Sequence, residues 1–141
     1  MLFRSYDHAD LTKLSAQQIR HQVLATRRAL HAAGVPMSSF VRPPYGAHDA
    51  RVDRVLAGLG LTTVLWSVDS EDWTGLATPR IVHSVVRQVD ARGLGGSVVL
   101  QHDGVTNSPA TLAAVPQEVH RLRRAGYCFV ALDDAGRPAG S

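Results

Sequence analysis

Four short stretches carry residues able to do acid–base or metal chemistry: "HADLTKLS" from His8, "RPPYG" from Arg42, "DSEDW" from Asp69 and "LQHDG" from Leu100. An imidazole ligates a cation or moves a proton, a guanidinium fixes a carboxylate, and a carboxylate beside an imidazole can orient and charge it. His8 reads as half of a metal site, but the position one helical turn earlier holds Arg4, and arginine cannot ligate a cation. His102 alone fits a hydrogen-bonded structural residue as well as a catalytic one. "RPPYG" alone fits a rigid turn.

The elements that must position these residues alternate between helix and strand. Ser15 and Gln18 form a capping box, Ile19, Val23, Thr26 and Leu30 recur at helical spacing, and Gly34 offers a stop, predicting a helix over 15–32. "SSFVR" predicts a short strand leading into the Arg42 loop. Val52, Val55, Leu56 and Leu59 describe a second helix ending near Gly60, and "TTVLWSVD" reads as one buried strand. Thr78 as N-cap with Pro79 in the first turn opens a third helix carrying Ile81, Val82, Val85, Val86 and Val89, closed by Gly93. "GSVVLQH" is the next strand. The last helix carries Leu112, Val115, Val119 and Leu122, with Pro116 marking its first turn or a kink. "YCFVAL" then closes as a strand, with Cys128 a small buried residue within it.

This is an α/β pattern, and Arg42, Asp69 with Asp72, and His102 with Asp103 fall at or just beyond strand ends, where parallel α/β folds build sites. The chain has 141 residues, 45% hydrophobic and 19% charged, the range of one globular domain. A single cysteine excludes an internal disulfide and a cysteine-rich zinc cluster. The net charge of +3 invites a nucleic-acid reading, but the arginines are scattered and no aromatic residues interleave with Arg121, Arg123 and Arg124. No nucleic-acid or membrane partner is expected: no apolar run approaches the ~20 residues of a membrane span. The amino terminus lacks the basic and apolar regions of a signal peptide.

In this order and at these separations, the four stretches resemble the second to fifth motifs of the polysaccharide deacetylases, the NodB-type domains of carbohydrate esterase family four. The resemblance runs through the final "RLRRAGYCFVAL". It implies metal-assisted hydrolysis of acetyl groups on chitin, peptidoglycan or acetylxylan, on a distorted (β/α) barrel, in a secreted or cell-envelope protein. By that resemblance His8 matches the second metal histidine, with zinc or another divalent ion such as cobalt or manganese as the cofactor. His102 matches the general acid, and Leu100 the pocket wall for the acetyl methyl. Asp72 matches the carboxylate that orients and charges the histidine. Trp73 would flank the groove, its flat face suited to a sugar ring, where a core tryptophan is the competing reading. Arg42 matches the arginine that holds the catalytic base, and Tyr45 would offer its backbone N–H to the developing oxyanion. Pro43 and Pro44 would fix the turn that aims it, Pro43 lining the substrate side. Asp69 is expected in the same polar network without a chemical step. His21, His31, His83 and His120, on predicted helices, and His48, in a loop, are read as surface or supporting residues.

The family's first motif, Thr-Phe-Asp-Asp-Gly, has no counterpart before His8, and Arg4 stands where the first metal histidine belongs. The expectation is therefore an incomplete barrel with its first strand or strands missing. Residues 1–141 would be one partial domain, with 134–141 as a tail, that does not retain the metal and is inactive as it stands. "LFRS" back-translates, with permitted codons, to the end of a widely used sequencing adapter, which makes residues 1–5 a candidate non-native segment. A missing strand would also leave a sheet edge through which the chain self-associates. The rival readings are a glycan-binding pseudoenzyme and a metal-independent hydrolase using His102 and Asp72. The latter lacks any serine in a nucleophile-elbow context.

Overall fold

Ser15 begins the first helix as its spacing to Gln18 predicts. Its Oγ accepts from the Gln18 N–H at 3.3 Å, and Gln18 Oε1 accepts from the Ser15 N–H at 2.8 Å. The helix, α1, runs Ala16–Ala32 and ends where Gly34 takes φ 69° and Val35 N–H returns to Leu30 O. The computed structural model describes residues 4–93, 95–133 and 136–137. It divides into two compact units, Met1–Leu65 and Trp66–Ser141.

In the first unit α1 is followed by β1 (Phe40–Val41), α2 (Ala50–Ala57) and β2 (Thr62–Thr63). Asp49 caps α2 by accepting from the Arg51 and Val52 amides. β1 and β2 pair in parallel, with Phe40 opposite Thr62 and Val41 opposite Thr63. The core between them is Leu11, Ile19, Val23, Val41, Val52, Val55, Leu56 and Leu61, so the helical stripes expected for α1 and α2 are the ones that pack.

The second unit holds β3 (Val68–Asp69), α3 (Thr78–Arg92), β4 (Val99–Leu100) and α4 (Ser108–Arg124). β3 and β4 are parallel neighbours, Val68 opposite Val99 and Asp69 opposite Leu100. Val68, Val85, Val89 and Leu122 form one core cluster, and Ile81, Val82 and Ala114 another. The fold class is α/β, as expected.

Several expectations are corrected. "TTVLWSVD" is two short strands, because its first half pairs with β1 and its second with β4; an apolar run does not report a change of partner. Thr78 is the first residue of α3, after Ala77 as N-cap, and its hydroxyl donates to Ala110 O at 3.0 Å instead of capping. α4 begins at Ser108, with Pro109 in its first turn and Pro116 inside it. Its buried stripe is Thr111, Ala114, Glu118 and Leu122, while Leu112 and Val115 are exposed. "YCFVAL" is not a strand: residues 127–131 are irregular, and Cys128, Phe129 and Val130 are exposed. Apolar residues become a strand only where a neighbouring edge accepts their backbone hydrogen bonds. Of the expected tail 134–141, only Gly136 and Arg137 are among the described residues, as are Arg4 and Ser5 of the segment 1–5. Asp133 accepts from the backbone and guanidinium of Arg137 in a turn.

Candidate active site

Each unit gathers part of the predicted constellation. In the first, Gln22 on α1 anchors the loop before His8: its Oε1 accepts from the Tyr6 and Asp7 amides, and its Nε2 donates to Asp7 Oδ2. The chain then turns through His8 at φ 62°. Arg4 Nη1 lies 3.1 Å from His8 Nε2. A guanidinium only donates, so Nε2 accepts and its lone pair is engaged. The His8 ring also meets Tyr45 edge-on, 4.9 Å between centroids.

Tyr45 sits in the 3-10 turn Pro44–Gly46 at φ 60° and ψ 6°, 70% exposed, on a base formed by the fully buried Pro43 and Pro44. The Gly46 and Ala47 amides close the turn onto Pro43 O and Pro44 O, both at 3.0 Å. Arg42 is half-buried, and burial, followed by the Arg4 guanidinium, holds it below the usual guanidinium range.

In the second unit, the residues that follow β3 and β4 leave the carboxyl ends of two parallel neighbours, which brings Asp72 and His102 together. Asp69 Oδ1 accepts from the Glu71 N–H, Glu71 turns the backbone at φ 57°, and the 3-10 turn Asp72–Thr74 follows. His8, Tyr45 and Glu71 are the non-glycine residues at positive φ among the described residues. Two are predicted site residues and the third precedes one, the clustering expected where backbone strain is retained to aim groups.

Asp72 is completely buried and binds His102 twice: Oδ2 accepts the His102 backbone N–H and Oδ1 the ring Nδ1–H, each at 2.7 Å. Thr111 Oγ donates to Oδ2 at 2.8 Å, and Asn107 Nδ2 donates to the carbonyls of Asp72 and Leu76, both at 2.8 Å. Burial would push the Asp72 carboxyl up, but the hydrogen bonds from His102 and Thr111 outweigh it and hold it below the usual value of 3.8. With an ionised Asp72 on Nδ1, Nε2 is the nitrogen left to exchange protons. Trp73 is 59% exposed, which rules out the core reading, and Leu100 is buried.

The four stretches keep the sequence order of the deacetylase motifs, but order is weaker than matched neighbours. A family model described as polysaccharide deacetylase matches residues 3–64. A family 4 carbohydrate esterase from Streptomyces lividans, solved with acetate, superposes with a TM-score of 0.81 at 36% identity over 96% of this chain and 67% of that one. This chain belongs to the polysaccharide deacetylase family.

As a family 4 esterase chain it is also 35% identical, over 92% of its length, to the peptidoglycan-N-acetylglucosamine deacetylase PgdA of Listeria monocytogenes. It spans about a quarter of that relative, 26%. A family 4 pseudoenzyme from Bacillus anthracis superposes at a TM-score of 0.77 with 27% identity, covering 88% of this chain and 41% of that one.

The family implies a divalent metal, and the residues described here do not fit one. Among them no three His, Cys, Asp or Glu side chains gather in a way that could hold an ion, and the His8 nitrogen is taken by Arg4. One imidazole does not hold such an ion in water.

Sequence reasoning missed Thr111, Asn107 and the pair of Gln101 with the buried Glu118, in which Gln101 Nε2 lies 3.1 and 3.0 Å from the two carboxylate oxygens. The signal was the Ser108–Pro109 pair, a helix start. Beginning α4 there puts Thr111, Ala114, Glu118 and Leu122 on one face. The Asp69 carboxylate bonds within its own turn while its backbone N–H and carbonyl are held by Gln88 on α3, and His48 pairs with Asp53 at 2.9 Å.

Proposed function

We propose that the whole protein removes N- or O-acetyl groups from an acetylated polysaccharide such as chitin, peptidoglycan or acetylxylan, in the cell envelope or outside the cell. This chain supplies the proton-donor side of that reaction. The water oxygen joins the acetyl carbon, the C–N or C–O bond breaks, and acetate leaves. His102 Nε2 gives its proton to the departing amine or alkoxide, and the proton shed by the water restores it. Asp72 keeps Nδ1 protonated and supports the imidazolium that the step requires. Leu100 walls the acetyl methyl, Trp73 faces a sugar ring, and the Tyr45 N–H, the amide of its turn not used to close it among the described residues, serves the oxyanion. Arg42 holds the carboxylate that acts as base, and Pro43 shapes the turn from beneath.

The observation that carries this reading is the double hydrogen bond from His102 to the buried Asp72. Acetate release from the three acetylated glycans, by the whole protein and by its His102→Gln variant, tests it. Release that His102→Gln leaves unchanged would sink it.

A second reading, a glycan-binding pseudoenzyme, is favoured by Arg4 on the His8 nitrogen. It expects glycan binding that a chelator does not alter and no acetate release.

A further inference from the structure

Glu118 is 4% exposed, an interior carboxyl that the proposed chemistry does not use. It lies two helical turns after Thr111 on the buried stripe of α4. Its two oxygens receive Gln101 Nε2, and Gln101 is the residue between Leu100, which ends β4, and His102. Burial pushes the Glu118 carboxyl up, the Gln101 amide works against that, and the nearby Asp72 carboxylate adds to the rise. Helix α4 thus reaches the Asp72–His102 pair by two polar contacts, Thr111 on Asp72 itself and Glu118 on Gln101 beside His102. α3 brings the apolar Ile81 and Val82 against Ala114. Among the described residues, the titratable group that acts on Glu118 is Asp72, from the 3-10 turn.

We propose that Glu118 is a positioning residue for His102: it holds the Gln101 amide, fixing the strand end from which the imidazole meets Asp72. A glutamine side chain has many rotamers, and one amide shared between two carboxylate oxygens leaves it few. Gln101 and His102 share a peptide unit, so pinning the first limits the backbone rotation that carries the ring of the second. The inference rests on His102 as proton donor, and its test is independent of turnover.

The test is NMR on the full chain without substrate, following the His102 Nδ1–H resonance. Glu118→Leu removes both acceptor and charge, and solvent exchange of Nδ1–H should rise at least about tenfold. Glu118→Gln keeps an acceptor, so that proton stays protected. Unchanged exchange in Glu118→Leu, or exchange that rises as much in Glu118→Gln, overturns the proposal. If Glu118→Leu does not fold, Gln101→Leu, which removes the same hydrogen bonds from their partly exposed end, decides by the same exchange measurement. Acetate release that ignores His102 would sink the proton-donor reading and leave these signals as they are.

Discussion

Arg4 sets its guanidinium 3.1 Å from Nε2 of His8, so a donor occupies the ring nitrogen a metal ion would need. Zinc added to the chain, or a chelator, should leave its thermal midpoint where it was. A site whose Kd exceeds the metal concentration stabilises by less than about 0.4 kcal/mol. A rise of several degrees with zinc, reversed by chelator, would show a metal site that these residues do not explain.

Thr111→Val takes one donor from the buried Asp72 oxygen and should cost about 1–3 kcal/mol at neutral pH. The sign of its pH dependence follows from Asp72, which is held below 3.8. The stability this carboxylate contributes is present above that value and lost as pH falls through its folded-state value. Without Thr111 that folded value rises, so the gap between variant and wild type narrows in acid. Urea melts from neutral to acid pH measure it, and a gap independent of pH would contradict the assignment.

Glu118 behaves in the opposite sense. Its carboxyl is held above the usual 4.5, so the folded state favours the protonated form, and stability falls as pH rises from 4.5 through the folded value. Glu118→Gln lacks that titration. Its stability relative to wild type should therefore improve as pH rises through this window, and melts at paired pH values would reveal a flat difference if the carboxyl were not penalised.

Trp73→Ala should leave the melting curve within about 0.5 kcal/mol, because the ring is 59% exposed. Binding of an acetylated oligosaccharide should weaken roughly tenfold, the order of one aromatic contact. Calorimetric titration with the oligosaccharide separates the two effects, and unchanged affinity would remove Trp73 from the groove.

The sequence by itself determined the α/β class, the limits of α1 and the core stripes of α1 to α3, because capping residues and helical periodicity are local and lie within a few positions of each other. It also placed Asp72 and His102 at strand ends, where the parallel register of β3 and β4 joins them. Only the tertiary structure decided what depends on distant partners. The single apolar run from Thr62 to Asp69 splits because its halves pair with different strands, and Cys128 is exposed although its neighbours are apolar. Thr111 and Glu118 are polar residues on a buried helical stripe, which a hydrophobic pattern scores as surface. They face inward because Asp72 and Gln101 satisfy them there, and those partners lie 39 and 17 residues away. Likewise, a histidine at position 8 reads as a ligand in one dimension; its nitrogen is engaged because the fold turns the Arg4 guanidinium onto it.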